Sequence, residues 1–249
     1  MVAALKLDAE TRALLDPAHG TLAAPLRGAV ATSLPAVEQG ARLAEQHGAI
    51  ARGGAPTFMP RLRANVQVLH AAHHCIARQA QRGHHVSQAG EWLLDNIHVL
   101  AAQTREVHDG LPRSYYRGLP VLTDGAAAGL PRIFAIAWAY VADNDSVFDA
   151  ASLVAFLQGY QRDPAHTLAQ GELWALPTTL RVVLIENLRR LAERVAAEEA
   201  AREAANGLCD LHAGCSESDA AARFEEMNRR GIGAAFALQV MQRLHDDSD

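Results

Sequence analysis

The chain is poor in almost everything that would announce a specialised class. Its 249 residues hold three cysteines, Cys75, Cys209 and Cys215, so no disulfide framework can be built, and a reducing compartment is the default. Lysine and arginine number 23 against 28 aspartates and glutamates, a net charge of −5. That balance offers no basic surface for nucleic acid. The longest apolar run, residues 133–142, is about half the roughly 20 residues a membrane helix needs, so no transmembrane segment is expected. The first 15 residues lack the basic start and apolar core of a signal peptide. No glycine-rich phosphate loop, nucleophile elbow or Ser-His-Asp order can be placed. β-Branched runs and sustained alternation are scarce, and alanine is abundant, which disfavours sheet.

What is present is helical. The cleanest period runs over residues 167–205. Leu173, Leu176, Leu180, Val183, Leu184, Leu188, Leu191 and Val195 recur at steps of three and four, one face of a helix. Glu186, Arg189, Arg190, Glu193 and Arg194 fall on the other face, read as solvated or facing another domain. Thr167 and Gln170 form a capping box at its start, and Pro177 predicts a kink. Asn187 lies on the apolar stripe and needs a partner, expected on a neighbouring backbone.

The other elements follow in order. Two short helices are expected near 9–15 and 35–51, in an arm over residues 1–56 that is loosely attached. Pro60 opens a helix that Gly83 closes, with Leu62, Val66, Leu69, Ile76 and Ala80 on one face. Ser87 caps the next, which buries Leu93, Ile97, Leu100, Thr104 and Val107 and ends near Asp109. Residues 113–130 read as a loop. Pro131 starts a helix that is apolar nearly all round and belongs in the middle of the packing. Asp149 caps the following one. A polar linker is expected over 206–218 and a helix pair over 219–249. The chain stops soon after an amphipathic helix bearing Phe236, Val240 and Leu244, which reads as a cut. The expectation is an all-α bundle of six to eight helices, one long and kinked at about 168–205, with 57–205 as the main domain.

Four constellations carry chemistry in principle. Asp143-x-Asp145 has the form of the metal-binding acidic pair of nucleotide-sugar glycosyltransferases, but that motif ends a strand, and helix termination explains these residues better. His70 and His74, with His73 between and His84-His85 beyond, have metal-ligand spacing without the further ligand such sites use. Cys209-x-x-His212-x-x-Cys215 offers three soft ligands, one short of a structural zinc site. No metal is assigned to either. Arg113, Tyr115, Tyr116 and Arg117 combine aromatic faces with guanidinium groups, a pairing suited to sugar rings and phosphate. The plainer reading is that these tyrosines pin the loop onto the bundle and that Trp138 and Trp174 lie in the core. If a ligand or partner domain touches the chain, this loop is the place expected.

Six segments together resemble the N-terminal region of the bacterial cyclic β-1,2-glucan synthases. They are GEWLLDN (90–96), LPRSYYRGLP (111–120), LPRIFAIAWAYVA (130–142), DSVFD (145–149), GELWALP (171–177) and ENLRRLAER (186–194). Members of that family continue into a membrane-embedded glycosyltransferase and a glycoside-phosphorylase-like region. They polymerise glucose from UDP-glucose and cyclise the product. The resemblance implies a non-catalytic helical N-terminal domain that supports the glycosyltransferase. It implies location on the cytoplasmic side of the bacterial inner membrane, with the downstream domains of the same polypeptide as partners. UDP-glucose would be the donor of the parent enzyme, and the chain itself would carry no cofactor. The resemblance carries no catalytic residue onto these segments. The alternative is a free-standing module that binds a glycan such as β-1,2-glucan, or a nucleotide sugar, through Arg113, Tyr115, Tyr116 and Arg117.

Overall fold

A computed structural model describes residues 34–54, 59–83, 86–110, 112–125, 127–144, 146–210, 217–229 and 232–246. The helix expected near 9–15, His84-His85, Asp145, His212 and Cys215 lie outside them. The described residues are helical almost throughout, as expected. In order they form α1 (Ala36–Gln46), β1 (Ile50–Ala51), α2 (Met59–Gln81), α3 (Gln88–Gly110), α4 (Arg113–Arg117), β2 (Val121–Leu122), α5 (Arg132–Asp143), α6 (Ala150–Tyr160), α7 (Gln170–Asp210), α8 (Glu217–Arg229) and α9 (Gly233–Asp246). A 3₁₀ turn, Pro164–His166, precedes α7. Two compact units result. Of the described residues, one contains those within 67–98 and 189–246, the other those within 34–66 and 99–188, so α2, α3 and α7 each contribute to both.

The second unit is built on α5. Apolar residues all round this helix leave it nowhere stable but the interior, and Ile133, Phe134, Ile136, Ala137 and Tyr140 are buried. Tyr140 meets Phe156 of α6 edge to face, with ring centroids 5.6 Å apart. The Tyr140 hydroxyl donates to the carbonyl of Asp149 at 2.8 Å, and the Asp149 amide donates back to it at 3.2 Å. Asp149 caps α6 as its sequence position predicts: its Oδ2 accepts from the Ser152 amide at 2.6 Å. An Asp149→Ala variant is expected to lose about 1 kcal/mol. Chemical denaturation reads this as a lower midpoint with an unchanged slope.

Helix α1 crosses α6 at two glycines. A Cβ on Gly40 would stand 1.9 Å from the Phe156 carbonyl oxygen, and one on Gly159 would stand 1.9 Å from that of Val37. Only glycine lets the two backbones come this close. The loosely attached arm expected over 1–56 is therefore corrected for its described part, which is packed against α6. Beyond α1, β1 pairs antiparallel with β2, Ile50 opposite Leu122 and Ala51 opposite Val121. The expected loop over 113–130 thus contains a short helix and a strand.

Helix α7 is 41 residues long, about 60 Å at the usual rise. It continues through Pro177 and past Ala205 to Asp210, so the polar linker expected from Asn206 starts later than the composition suggested. Its faces are not divided as the spacing predicted. Leu173 and Leu191 are exposed, whereas Glu172, Glu186, Arg189 and Glu199 are buried. Of the charged face expected to be solvated or to face another domain, Glu186 and Arg189 are buried, Glu186 paired with Arg61 of α2 and Arg189 with Glu193 one turn on, while Arg194 is exposed. The start also differs. Thr167 closes the preceding 3₁₀ turn, its hydroxyl donating to the Pro164 carbonyl at 2.9 Å. The reach-back of a capping box falls instead to Glu172, whose Oε2 accepts from the Ala169 amide at 2.9 Å. Trp174 is 70% exposed, not in the core, and Trp138 is half-buried, stacked on Phe134 with centroids 6.0 Å apart.

In the first unit, Leu69 and Ile76 of α2 and Leu93 of α3 are buried as their periods predict, whereas Ala80, expected on the same face of α2, is exposed. The Ser87 hydroxyl accepts from the Gly90 amide at 3.3 Å, at the expected cap. Along α7, Ala192, Ala196, Ala200 and Ala204 are buried at every fourth position. Near its end Ala201, Ala205 and Leu208 pack with Met227 of α8, Ile232, and Phe236 of α9.

Candidate functional site

The segments singled out in the sequence converge at the start of α7. Tyr115 of α4 donates its hydroxyl hydrogen to the Gly171 carbonyl at 2.6 Å. Tyr116 is 3% exposed, and burial pushes its hydroxyl far above the usual phenol range. The Arg117 carbonyl accepts from the Gly54 amide at 3.1 Å, tying the β1 segment to α4, while the Arg117 side chain stays exposed. The side chain of Arg113 is not among those described. Both tyrosines are thus turned to the protein, the plainer of the two readings of this loop. Tyr116 is buried, while Tyr115 is half-buried and Arg117 exposed.

Next to Gly171 lies the main polar cluster, which the sequence did not reveal. Arg132 and Glu172 are 3% and 0% exposed. They form a fork: Arg132 Nε donates to Glu172 Oε1 at 2.9 Å and Nη2 to Oε2 at 2.6 Å. Nη2 also donates to the Thr167 carbonyl at 3.0 Å. Burial opposes the Arg132 charge, but the hydrogen-bonded Glu172 carboxylate outweighs it and the guanidinium pKa rises. Such a pair holds geometry well, since each charge has a matched partner and extra hydrogen bonds.

Tyr160, at the end of α6, sits within range of this pair. Burial first, and then the Glu172 charge, push its hydroxyl up to about 12, against the opposing pull of Arg132. His47, just past α1, has Nδ1 at 2.8 Å from the Tyr160 hydroxyl. The His166 ring packs edge-on against Tyr160 from the other side, 5.6 Å between centroids. Burial, His166 and Arg132 lower the His47 pKa to about 4, with Asp124 opposing. A neutral His47 accepting from Tyr160 is consistent with all of these charges.

This has a pH consequence. The folded His47 pKa lies below the ordinary imidazole value of 6.5, so the unfolded chain takes up the proton first. The contribution is complete above pH 6.5 and is lost as the pH falls toward 4. Partial solvent access reduces it to on the order of 2 kcal/mol. The melting temperature of the native chain is expected to fall more steeply over this window than that of a His47→Asn variant. Parallel slopes would contradict it.

Two further ties involve the resembling segments. Arg61 of α2 grips Glu186 of α7 with Nε and Nη2, Nε to Oε2 at 2.7 Å, and lies 5.8 Å from the Phe134 ring centroid. The Asn187 amide donates to the Ser146 hydroxyl, a side chain rather than the expected backbone. Ser146 has a φ of 64°, the left-handed region, and its amide closes the end of α5 on the Val141 carbonyl at 2.9 Å. Asp143 is the last residue of α5, so the acidic pair begins at a helix end and not at a strand end.

The histidines of α2 remain near the surface. His70 and His74 are exposed, and the His73 ring lies edge-on to His74, 5.7 Å between centroids. Burial, His74 and His70 lower the His73 pKa. Among the described residues, no three His, Cys, Asp or Glu side chains come together as a metal site would need. Nor, among them, is any helix long and apolar enough to cross a membrane. The signal for the cluster was available only as the segments LPRIF and GELW, which hold Arg132 and Glu172; nothing pointed to His47 or Tyr160.

No protein-family model matches the chain. It is 36% identical over 211 residues, 84% of its length, to the cyclic beta-(1,2)-glucan synthase NdvB of Rhizobium meliloti (strain 1021). It spans only 7% of that relative. Over most of its length, then, the chain is a relative of one segment of a cyclic β-1,2-glucan synthase, as the six segments read together imply.

Proposed function

We propose that this chain is a non-catalytic helical support for the glycosyltransferase of a cyclic β-1,2-glucan synthase, acting as part of a longer polypeptide on the cytoplasmic side of the inner membrane. Polymerisation of glucose from UDP-glucose then belongs to other domains. The observation that carries this reading is the fate of the resembling segments. Several of their polar residues make internal ties: Tyr115 to Gly171, Arg132 to Glu172, Asn187 to Ser146. Most of their apolar residues are buried, but Val147, Phe148, Leu173 and Trp174 are 67%, 61%, 40% and 70% exposed. Large apolar side chains left outside an otherwise satisfied scaffold suit contact with further protein. A rigid scaffold of this kind positions a neighbour and needs no reactive group of its own.

The test is a segment exchange. The matching stretch of the Rhizobium meliloti synthase is replaced by this chain, and glucan formation in membranes is measured. Retained synthesis that is lost when Phe148 and Trp174 are both changed to serine supports the proposal. Retained synthesis that is indifferent to both changes contradicts the contact role of these residues.

A further inference from the structure

The segment from α1 through β1 is held to the second unit by few and separable ties. Helix α1 packs on α6 and touches α5. Its buried residues are Gln39, Gly40 and Ala44, with Val37 and Leu43 half-buried, so little apolar area holds it. Gln39 Nε2 donates to the Leu34 carbonyl at 2.9 Å, but its Oε1 is buried without a partner among the described residues, which costs the docked position. Strand β1 adds a ladder of two residues, both exposed. The Thr123 amide and hydroxyl donate to the Ala49 carbonyl at 3.1 and 2.9 Å. Beyond them Gly53 and Gly54 have φ of 76° and 83°, two adjacent residues in a region that glycine enters and leaves freely. The side-chain tie that reaches the core is His47 to Tyr160, which is fully buried.

We propose that residues 36–54 form a strap hinged at Gly53-Gly54, which acid releases from α6 as one piece, with His47 as the trigger. The groups facing His47 are Tyr160 of α6, His166 of the 3₁₀ turn, Arg132 of α5 and Asp124 after β2, while Glu172 of α7 faces Tyr160 and Arg132. On α1 itself Glu38, Arg42 and Glu45 are exposed. A neutral His47 ring accepts the Tyr160 hydrogen at Nδ1. A proton taken up from solvent leaves a hydrogen on both ring nitrogens, so Nδ1 can no longer accept. It also sets a cation beside Arg132, whose counter-ion Glu172 is already engaged, and exposed Asp124 offsets this only in part. Released into water, the ring regains its ordinary proton affinity, so proton uptake favours the released strap. The depression of the docked ring to about 4 is the same effect seen from the proton's side. The ties from Arg132 to Glu172 and from Tyr140 to Asp149 join α5 to α7 and to the start of α6 without His47, and they keep the rest of the unit folded. None of this draws on the supporting role proposed above.

The test is hydrogen exchange of the full chain, read by mass spectrometry at about pH 7 and about pH 5, with rates corrected for the intrinsic effect of pH. Protection of the α1 amides is expected to fall by about tenfold between the two, while that of residues 132–143 and 170–188 stays unchanged. His47→Gln keeps a polar side chain that does not titrate, and it should remove the pH dependence of α1 whatever its protection at neutral pH. Asp124→Asn, which leaves the His47–Tyr160 contact in place, should steepen that dependence. Equal protection of α1 at both pH values in the native chain, a loss that spreads equally to 132–143 and 170–188, or the same pH response in His47→Gln would each overturn the proposal.

Discussion

Replacing Arg132 with methionine is expected to destabilise the chain by about 3–5 kcal/mol, the largest single effect in the molecule. The substitution keeps most of the side-chain volume but strands Glu172, which is fully buried, with one remaining donor in the Ala169 amide. The Thr167 carbonyl also loses its donor. Protonation of Glu172 offers the variant some relief, so its deficit should shrink as the pH falls. The double variant Arg132→Met, Glu172→Met removes the stranded charge and should recover part of the loss, because a matched apolar pair avoids the desolvation of both ions. Denaturant midpoints of the three variants decide the matter. A loss under about 1 kcal/mol for Arg132→Met would mean that water reaches the pair and that it behaves as a surface ion pair.

Gly40→Ala is expected to cost about 3 kcal/mol, at the upper end for overpacking. The added methyl meets backbone, the Phe156 carbonyl, and not the end of a flexible side chain that could swing away. Relief therefore requires α1 to lift from α6, which also breaks the 2.8 Å contact between His47 and Tyr160. Gly159→Ala should do the same through Val37, since the crossing is reciprocal. Thermal melting reads the loss, and proteolysis in residues 47–54 should speed up in both variants. A melting temperature equal to that of the parent chain would show that the helices do not cross this closely.

These two effects also mark where reading the sequence stops. Local signals were legible. The stripe of Leu62, Leu69 and Ile76, the Ser87 and Asp149 caps and the all-apolar turn of residues 133–141 each depend on neighbours within four positions. So does the all-α class. What was missed were the pairings between distant charged residues. Glu186 was placed on a face read as solvated or turned to another domain, but its partner Arg61 stands 125 positions away, and Arg132 stands 40 positions from Glu172. Nothing in spacing alone reports such a pairing. Trp174 was read as core on size, although its helix buries other faces at that level. Gly40 and Gly159 were legible in principle, since glycine inside a helix signals close approach, but the two belong to different helices and the crossing exists only once both are placed. For the candidate site, the Tyr115 hydroxyl ties its loop to Gly171, as the plainer reading of that loop expects. His47 and Tyr160 meet in a pairing that no motif encodes.

The central claim is that the chain is scaffold and that glucose transfer lies elsewhere in the longer enzyme. The most direct measurement incubates the purified chain, alone, with radiolabelled UDP-glucose, a divalent cation and a glucan acceptor. No labelled glucan above the rate without protein is the predicted result. Labelled product that grows in proportion to chain concentration would contradict the account, because transfer would then reside within these 249 residues.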